Sequence, residues 1–180
     1  MLAAAAVALT SGCGPEPDLL VKSRLGDVTL VAVLPFEDAP GPYGQHSGQA
    51  TSGFVTSELT RGRRFRLVER SKLTAVMNEQ QLQVAEVVDT DTAVKIGRML
   101  GVHAVIVGSV SQYDMDKTTV YIHVVPIVSK EYKIGATIRM IDVTNGEVIY
   151  AHSACGSSGS DFTEAGRLAA RQLIAPLVGT

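Results

Sequence analysis

The side chains best suited to nucleophilic or metal chemistry are two cysteines, Cys13 and Cys155, and four histidines, His46, His103, His123 and His152. The histidines stand singly, and no HExxH, CxxC, GxSxG or P-loop spacing joins them to other groups. Gly156-Ser157-Ser158-Gly159 is not a nucleophile elbow, because its glycine spacing and its strand–turn–helix context are wrong. A hydrolase built on Cys155 would need a base to raise its thiolate fraction, and the sequence places none beside it. His123 and His152 fall on neighbouring expected strands, where the alternatives are a metal pair or two satisfied or exposed histidines. Asp114, Asp116 and Lys117 read as a solvated turn. The reading is therefore no enzyme, no cofactor and no metal.

Cys13 has a different setting. Met1 to Gly12 is small and apolar, too short to span a bilayer as a helix, which takes ~20 residues, and it fits the h-region and small-residue cut site of a secretory signal. Leu9-Thr10-Ser11-Gly12-Cys13 resembles the bacterial lipobox, in which cleavage leaves a cysteine that carries acyl chains such as palmitate. The alternative is an ordinary cleaved signal with an incidental cysteine. No Lys or Arg precedes the apolar run, so a start codon upstream is expected. The division that follows is a lipoprotein signal peptide over 1–12, a lipidated cysteine and tether over 13–26, and a periplasmic domain over 27–180. Gly14 after the cysteine is not Asp, which resembles lipoproteins sorted to the outer membrane.

The composition of the 180-residue chain, 46% hydrophobic with 5% aromatic, no Trp and a net charge of −2, suits one domain with an aliphatic core. It gives no basic footprint for nucleic acid. The densest basic run, Arg61 to Arg66, reads as cations near a helix end and a solvated turn.

The elements that position these residues centre on Asp91 to Tyr113. Ala93, Ile96, Gly97 and Leu100 share one helix face, Asp89 or Asp91 can cap its start, and Gly101 suits a left-handed stop. Ala104 to Val107 then runs apolar, as a strand buried on both faces does. Before this unit, a buried strand is expected over Val28–Phe36, a loop over Glu37–Gly48, a helix over Gln49–Arg61, a short strand over Phe65–Glu69 and a helix capped by Ser71. After it, a hairpin is expected with arms Thr118–Val128 and Lys133–Val143 and a charged tip at Ser129–Lys133. Asn145-Gly146 reads as a two-residue type I′ turn setting the register of the returning strand, Glu147–Ala154. A hinge at Gly156–Ser160 and a final helix over Phe162–Leu177 close the chain. The fold class is α/β, a single domain with a mixed β-sheet covered by helices.

Five segments taken together, Val31–Phe36, Phe65–Arg70, Val76–Gln80, Val107–Val110 and Ile138–Val148, resemble the CsgG family in order and spacing over about Val28 to Ala154. That family is the one of the curli production assembly and transport lipoprotein, within a wider LpoB and TolB N-terminal-like superfamily. The resemblance implies a periplasmic domain held to the outer membrane by a lipid on Cys13. Its partners would be the membrane through that anchor and a homo-oligomer or other envelope proteins, with no nucleic acid and no small-molecule substrate. It implies either a component of a curli-type secretion and assembly system or a non-pore accessory lipoprotein that binds and regulates an envelope machine, as LpoB-like proteins do. The sequence departs from the curli member in three places. The loop Glu37–Gly48 is short and lacks an Asn-Phe pair, with only Tyr43 to stand in. A second barrel hairpin has no room after Gly146, and a long C-terminal helical extension is absent. The hairpin from Thr118 is accordingly expected to extend a soluble sheet and to form no conducting pore.

Overall fold

The computed structural model describes residues 16–81, 89–122 and 125–178. Six strands form one mixed sheet: β1 (Leu19–Leu20), β2 (Leu30–Val33), β3 (Arg66–Leu67), β4 (Ala104–Ile122), β5 (Val125–Asp142) and β6 (Val148–Ser158), in the spatial order β1-β6-β5-β4-β2-β3. β2 runs parallel to β3 and to β4, and β4-β5-β6-β1 are antiparallel. Five helices accompany it among the described residues: α1 (Lys22–Leu25), α2 (Ser47–Gly62), α3 (Arg70–Glu79), α4 (Thr90–Leu100) and α5 (Phe162–Val178). No described helix is long and apolar enough to cross a membrane.

Alternation along the strands builds two cores, one on each face. Val31, Ala104, Ile106, Ile138 and Met140 pack with Val55 and Leu59 of α2 and Leu173 and Ile174 of α5. Ala32, Val105, Val107 and Ile141 face the other way, onto Leu73 of α3 and Ala93 and Ile96 of α4. The α4–β4 unit therefore sits at the centre, as its sequence indicates. Asp89 caps α4 by accepting the Thr92 N–H at 3.1 Å, and Gly101 ends it at φ +66°.

Several boundaries differ from expectation. Leu19–Leu20, expected in a tether, pairs with Tyr150 and Ala151 of β6, and Leu25 of α1 is buried in the first core. Two prolines, Pro15 and Pro17, make the preceding segment read as linker, but two leucines suffice for a short edge strand. Glu69, not Ser71, occupies the N-cap of α3, with no side-chain cap bond; Ser71 lies inside the helix and its hydroxyl donates to Glu69. Gly156–Ser158 belongs to β6, not to a hinge. A Cβ at Gly156 would overlap the backbone of Ala165 and Ala169, so the glycine lets α5 lie directly on the strand.

The loop between β5 and β6 is also longer than two residues. Asp142 N–H donates to the Glu147 carbonyl (2.9 Å) and Gly146 N–H to the Asp142 carbonyl (2.8 Å), which encloses Val143 to Gly146. Gly146 has φ +76°, while Asn145 is not at positive φ, so the geometry is not type I′, which needs both. The Asn145 side chain instead accepts the Glu147 N–H at 3.0 Å, an Asx turn that competes with the tight hairpin.

Candidate functional site

β4 and β5 pair without interruption in direction from Ala104↔Asp142 to Ile122↔Val125, with a bulge at Ser111. β6 accompanies β5 only as far as Tyr132↔Ser158, and on the other side the last partner of β4 is Glu37, whose carbonyl accepts from Val110. Beyond these points the two strands leave the sheet as a two-stranded ribbon, residues 116–122 and 125–131. This corrects the expected hairpin. The chain reverses between Ile122 and Val125, so Thr118–Val128 is not one arm. Ser129–Lys133 is no tip but lies within β5, opposite Met115 to Thr118 and, at its end, Asp114. Asp114, Asp116 and Lys117 are strand residues and not a turn.

Directly paired residues share a face. One face of the ribbon carries Asp114↔Lys133, Asp116↔Glu131, Thr118↔Ser129 and Val120↔Ile127. The other carries Tyr113↔Ile134, Met115↔Tyr132, Lys117↔Lys130 and Thr119↔Val128. Near its end the ribbon is apolar and bare: Val120 is 55% exposed, Ile127 50% and Val128 49%. Charges form a collar behind it. Asp116 and Glu131, two like charges side by side, are bridged by Lys133 at 2.9 and 3.3 Å, and both carboxylates hold the Lys133 pKa up. The other like-charged pair, Lys117 and Lys130, has no carboxylate partner among the described residues.

The ribbon is fixed at its base by aromatic rings. Phe162, at the start of α5, stacks on Tyr113 of β4 (centroids 4.3 Å, 17° between planes) and meets Tyr132 of β5 edge-on at 4.9 Å. Tyr43 of the loop after β2 leans on the same ring at 6.0 Å. Val110, Ile134, Ala165 and Ala169 fill the space beneath. The loop itself is held by Asp38, whose carboxylate accepts the N–H groups of His46 (3.0 Å) and Gly48 (2.8 Å) at the start of α2.

The residues singled out in the sequence are not gathered into one site. Cys13 and His123 lie outside the described residues. Cys155 is half-buried on β6, opposite Gly135. His46 precedes α2 in the left-handed conformation, and His103 accepts the Thr29 N–H at 3.2 Å near the opposite end of the sheet. His152 is 1% exposed, between β6 and α5, with no hydrogen-bond partner at either ring nitrogen among the described residues. Burial pushes its pKa down, against weaker upward pulls from Asp18 and the Gln172 backbone. Pro176 leaves that Gln172 carbonyl without its helical N–H. Beside it the Tyr150 hydroxyl donates to the Leu173 carbonyl, and burial raises its pKa. Asn145 and Gly146 stand at the end of the sheet away from the ribbon. Among the described residues no group of three or more His, Cys, Asp or Glu is placed to hold a metal ion. Of the basic run, Arg61 pairs with buried Glu58 at 2.6 Å, and Arg64 donates to the Leu177 carbonyl at the end of α5. A hairpin leaving the sheet is expected from the sequence; where it turns, and that its end is apolar and exposed, is what the sequence reading misses. Its signal was the run Val120–Val128, apolar but for His123 and flanked by charges on both sides.

Comparison with known proteins places this architecture. It is similar to a solved structure of a PelC dodecamer from Paraburkholderia phytofirmans, a point variant of that protein, with a TM-score of 0.57 and 15% identity over 92% of this chain and 95% of that one. It is also similar to lipoprotein GNA1162 from Neisseria meningitidis, with a TM-score of 0.53 and 18% identity over 84% of this chain and 96% of that one. No curated protein matches the sequence. The family model for the curli production assembly/transport component CsgG matches residues 24–170, from within α1 into α5, and the chain belongs to the CsgG family.

Proposed function

We propose that this protein is an envelope lipoprotein that works by binding and assembly, serving a curli-type secretion or assembly system at the outer membrane. The observation that carries this reading is the span of the family match, which takes in the central strands of both cores and the whole β4–β5 hairpin. The lipobox-like Leu9–Cys13 supports attachment through acyl groups on Cys13, and more than one acyl chain is needed for a lasting anchor. The PelC structures of the same fold are dodecamers, which supports self-assembly here as well. Catalysis has no part in the reading.

One observation favours the accessory form over a conducting channel. A barrel strand needs ~9–11 tilted residues. The β4 side of the ribbon clear of the sheet offers seven, of which Asp116 and Lys117 are charged and Thr118 and Thr119 polar. The test is mass spectrometry of membrane-extracted protein together with planar-bilayer recording. Acylated Cys13 at the mature N-terminus, and no single-channel steps, are expected. An unmodified Cys13 would remove the anchor, and stable steps would restore the channel.

A further inference from the structure

We infer that the crevice at the C-terminal ends of β2 and β3 binds a small zwitterion, a free amino acid or a dipeptide, with its carboxylate on Arg70 and its ammonium on Glu37. Such a ligand is a bound effector and not a substrate. The inference goes beyond the binding and assembly proposed above and does not rest on it. Three features of the molecule carry it.

The first is topology. β2 and β3 are parallel neighbours. The chain leaving β2 passes into α2, which packs on the first core, and the chain leaving β3 passes into α3, which packs on the second. Adjacent parallel strands whose connections part to opposite faces leave a gap at their carboxyl ends, and ligands of open α/β sheets bind in such gaps. Here the gap is a cavity of about 410 Å³, within the roughly 300–1,000 Å³ of small-molecule sites. Phe36, Glu37 and Asp38 line it after β2, His46 and Gln49 at the start of α2, and Arg70 as the first residue of α3.

The second is that the cavity is rigid without a ligand. The Glu37 N–H donates to the Gly108 carbonyl, and the Glu37 carbonyl accepts from the Val110 N–H, both at 3.0 Å, so the backbone under the cavity is tied to β4. Gly48 brings α2 so close to the Phe36 carbonyl that a Cβ would overlap it. The Asp38 carboxylate is already taken up by the N–H groups of His46 and Gly48.

The third is what stays uncommitted. The side chains of Glu37 and Arg70, opposite in charge, have no hydrogen-bond or ion-pair partner among the described residues, and neither have the His46 ring and the Gln49 amide. A larger cavity, about 700 Å³ at the opposite end of the sheet, is different. There Arg98 donates to the Val143 and Thr144 carbonyls, His103 accepts the Thr29 N–H and Asp142 accepts the Thr144 N–H, so these side chains hold the backbone.

The charges select the ligand. A simple anion would meet Glu37 and Asp38. A metal ion would meet Arg70 and find one uncommitted carboxylate. An uncharged sugar would leave both charges unanswered. A carboxylate matches the planar fork of the Arg70 guanidinium, and an ammonium offers its donors to Glu37. Gln49 has both a donor and an acceptor and can serve either end.

The test uses the full chain in detergent, titrated with glycine, L-alanine, D-alanine and L-alanyl-L-alanine and followed by the ligand's own proton NMR signals. At least one is expected to bind saturably. Its N-acetyl derivative and its methyl ester are each expected to bind about tenfold or more weakly, because each lacks one charge. Arg70→Gln and Glu37→Gln, both at exposed positions, are expected to weaken the parent ligand by a similar factor and to melt as the unaltered chain does. Lys95→Gln, exposed on α4, is expected to leave binding unchanged. No saturable binding by any of the ligands overturns the inference. So do derivatives that bind as tightly as the parent, and so does an affinity unchanged in both crevice variants. Binding of phosphoethanolamine with none of the amino acids or the dipeptide overturns the carboxylate assignment. If a crevice variant fails to fold, the two ligand derivatives on the unaltered chain decide.

Discussion

The same two strands live in two environments. Between Ala104 and Val110, β4 sends alternate side chains into two helix-covered cores, and every one of Ala104, Val105, Ile106 and Val107 is fully buried. Ten residues further on, the same strand carries Val120 at 55% exposure, with β5 as its only neighbouring strand among the described residues. Hydrogen bonding along the β4–β5 ladder is alike at both ends, so pairing alone does not stabilise a region. What differs is apolar burial, worth about 1.5–3 kcal/mol for each large aliphatic side chain. A ribbon of two strands without a covered face is marginal by itself, and this one stands because Tyr113, Tyr132 and Phe162 clamp its base.

The sharpest way to break the comparison is one substitution made at both ends. Val107→Glu buries a carboxylate without a partner and is expected to cost about 4–5 kcal/mol or more, enough to abolish the folding transition in urea. Val120→Glu is expected to change the unfolding free energy read from the same urea curve by no more than about 0.5 kcal/mol. Equal losses would mean that the ribbon is part of the cooperative core.

Gly156→Ala is expected to cost about 2–3 kcal/mol in the same urea experiment, because the added methyl displaces α5 from β6. Gly135→Ala, on the neighbouring strand, meets the Ser111 hydroxyl and side-chain atoms in place of backbone and is expected to cost less. A reversed order would show that α5 is not seated on β6 as described.

Gly146→Val is expected to cost about 1 kcal/mol or more in thermal melts, since φ near +76° is resisted by a β-branched residue. An unchanged melt would mean that the loop can adopt another shape.

The smallest expected effect is a pH dependence. His152 is held neutral by burial, so its folded pKa lies below the ordinary 6.5. The unfolded chain then binds the proton more readily, and stability falls as pH drops from about 6.5 towards the lower folded value. His152→Met is expected to flatten the melting temperature across that window. Identical pH profiles for the two proteins would exclude His152 as the source.

Much of this was legible in the sequence. The α4–β4 unit was, because Asp89, the helical period and Gly101 are local signals that tertiary packing did not override. The two cores followed from unbroken apolar runs in β2 and β4. The place where the ribbon turns was not legible. Charges at Ser129–Lys133 read as a hairpin tip because tips are commonly solvated, yet here the charges line the middle of the arms and the end is apolar. Register is set far away, by Ala104↔Asp142 and the bulge at Ser111, and a bulge has no signature in alternation alone. The Asn145-Gly146 pair signalled a turn, but not that the Asn145 side chain would bond Glu147 and lengthen it. The edge strand Leu19–Leu20 was hidden by its two-residue length and by the prolines before it.

Hydrogen exchange tests the contrast between the two ends most directly. Amides of β4 from Ala104 to Val110 are expected to exchange only through global unfolding, while those from Lys117 to Ile122 exchange orders of magnitude faster in detergent solution. Uniform protection along the whole of β4 would contradict the account.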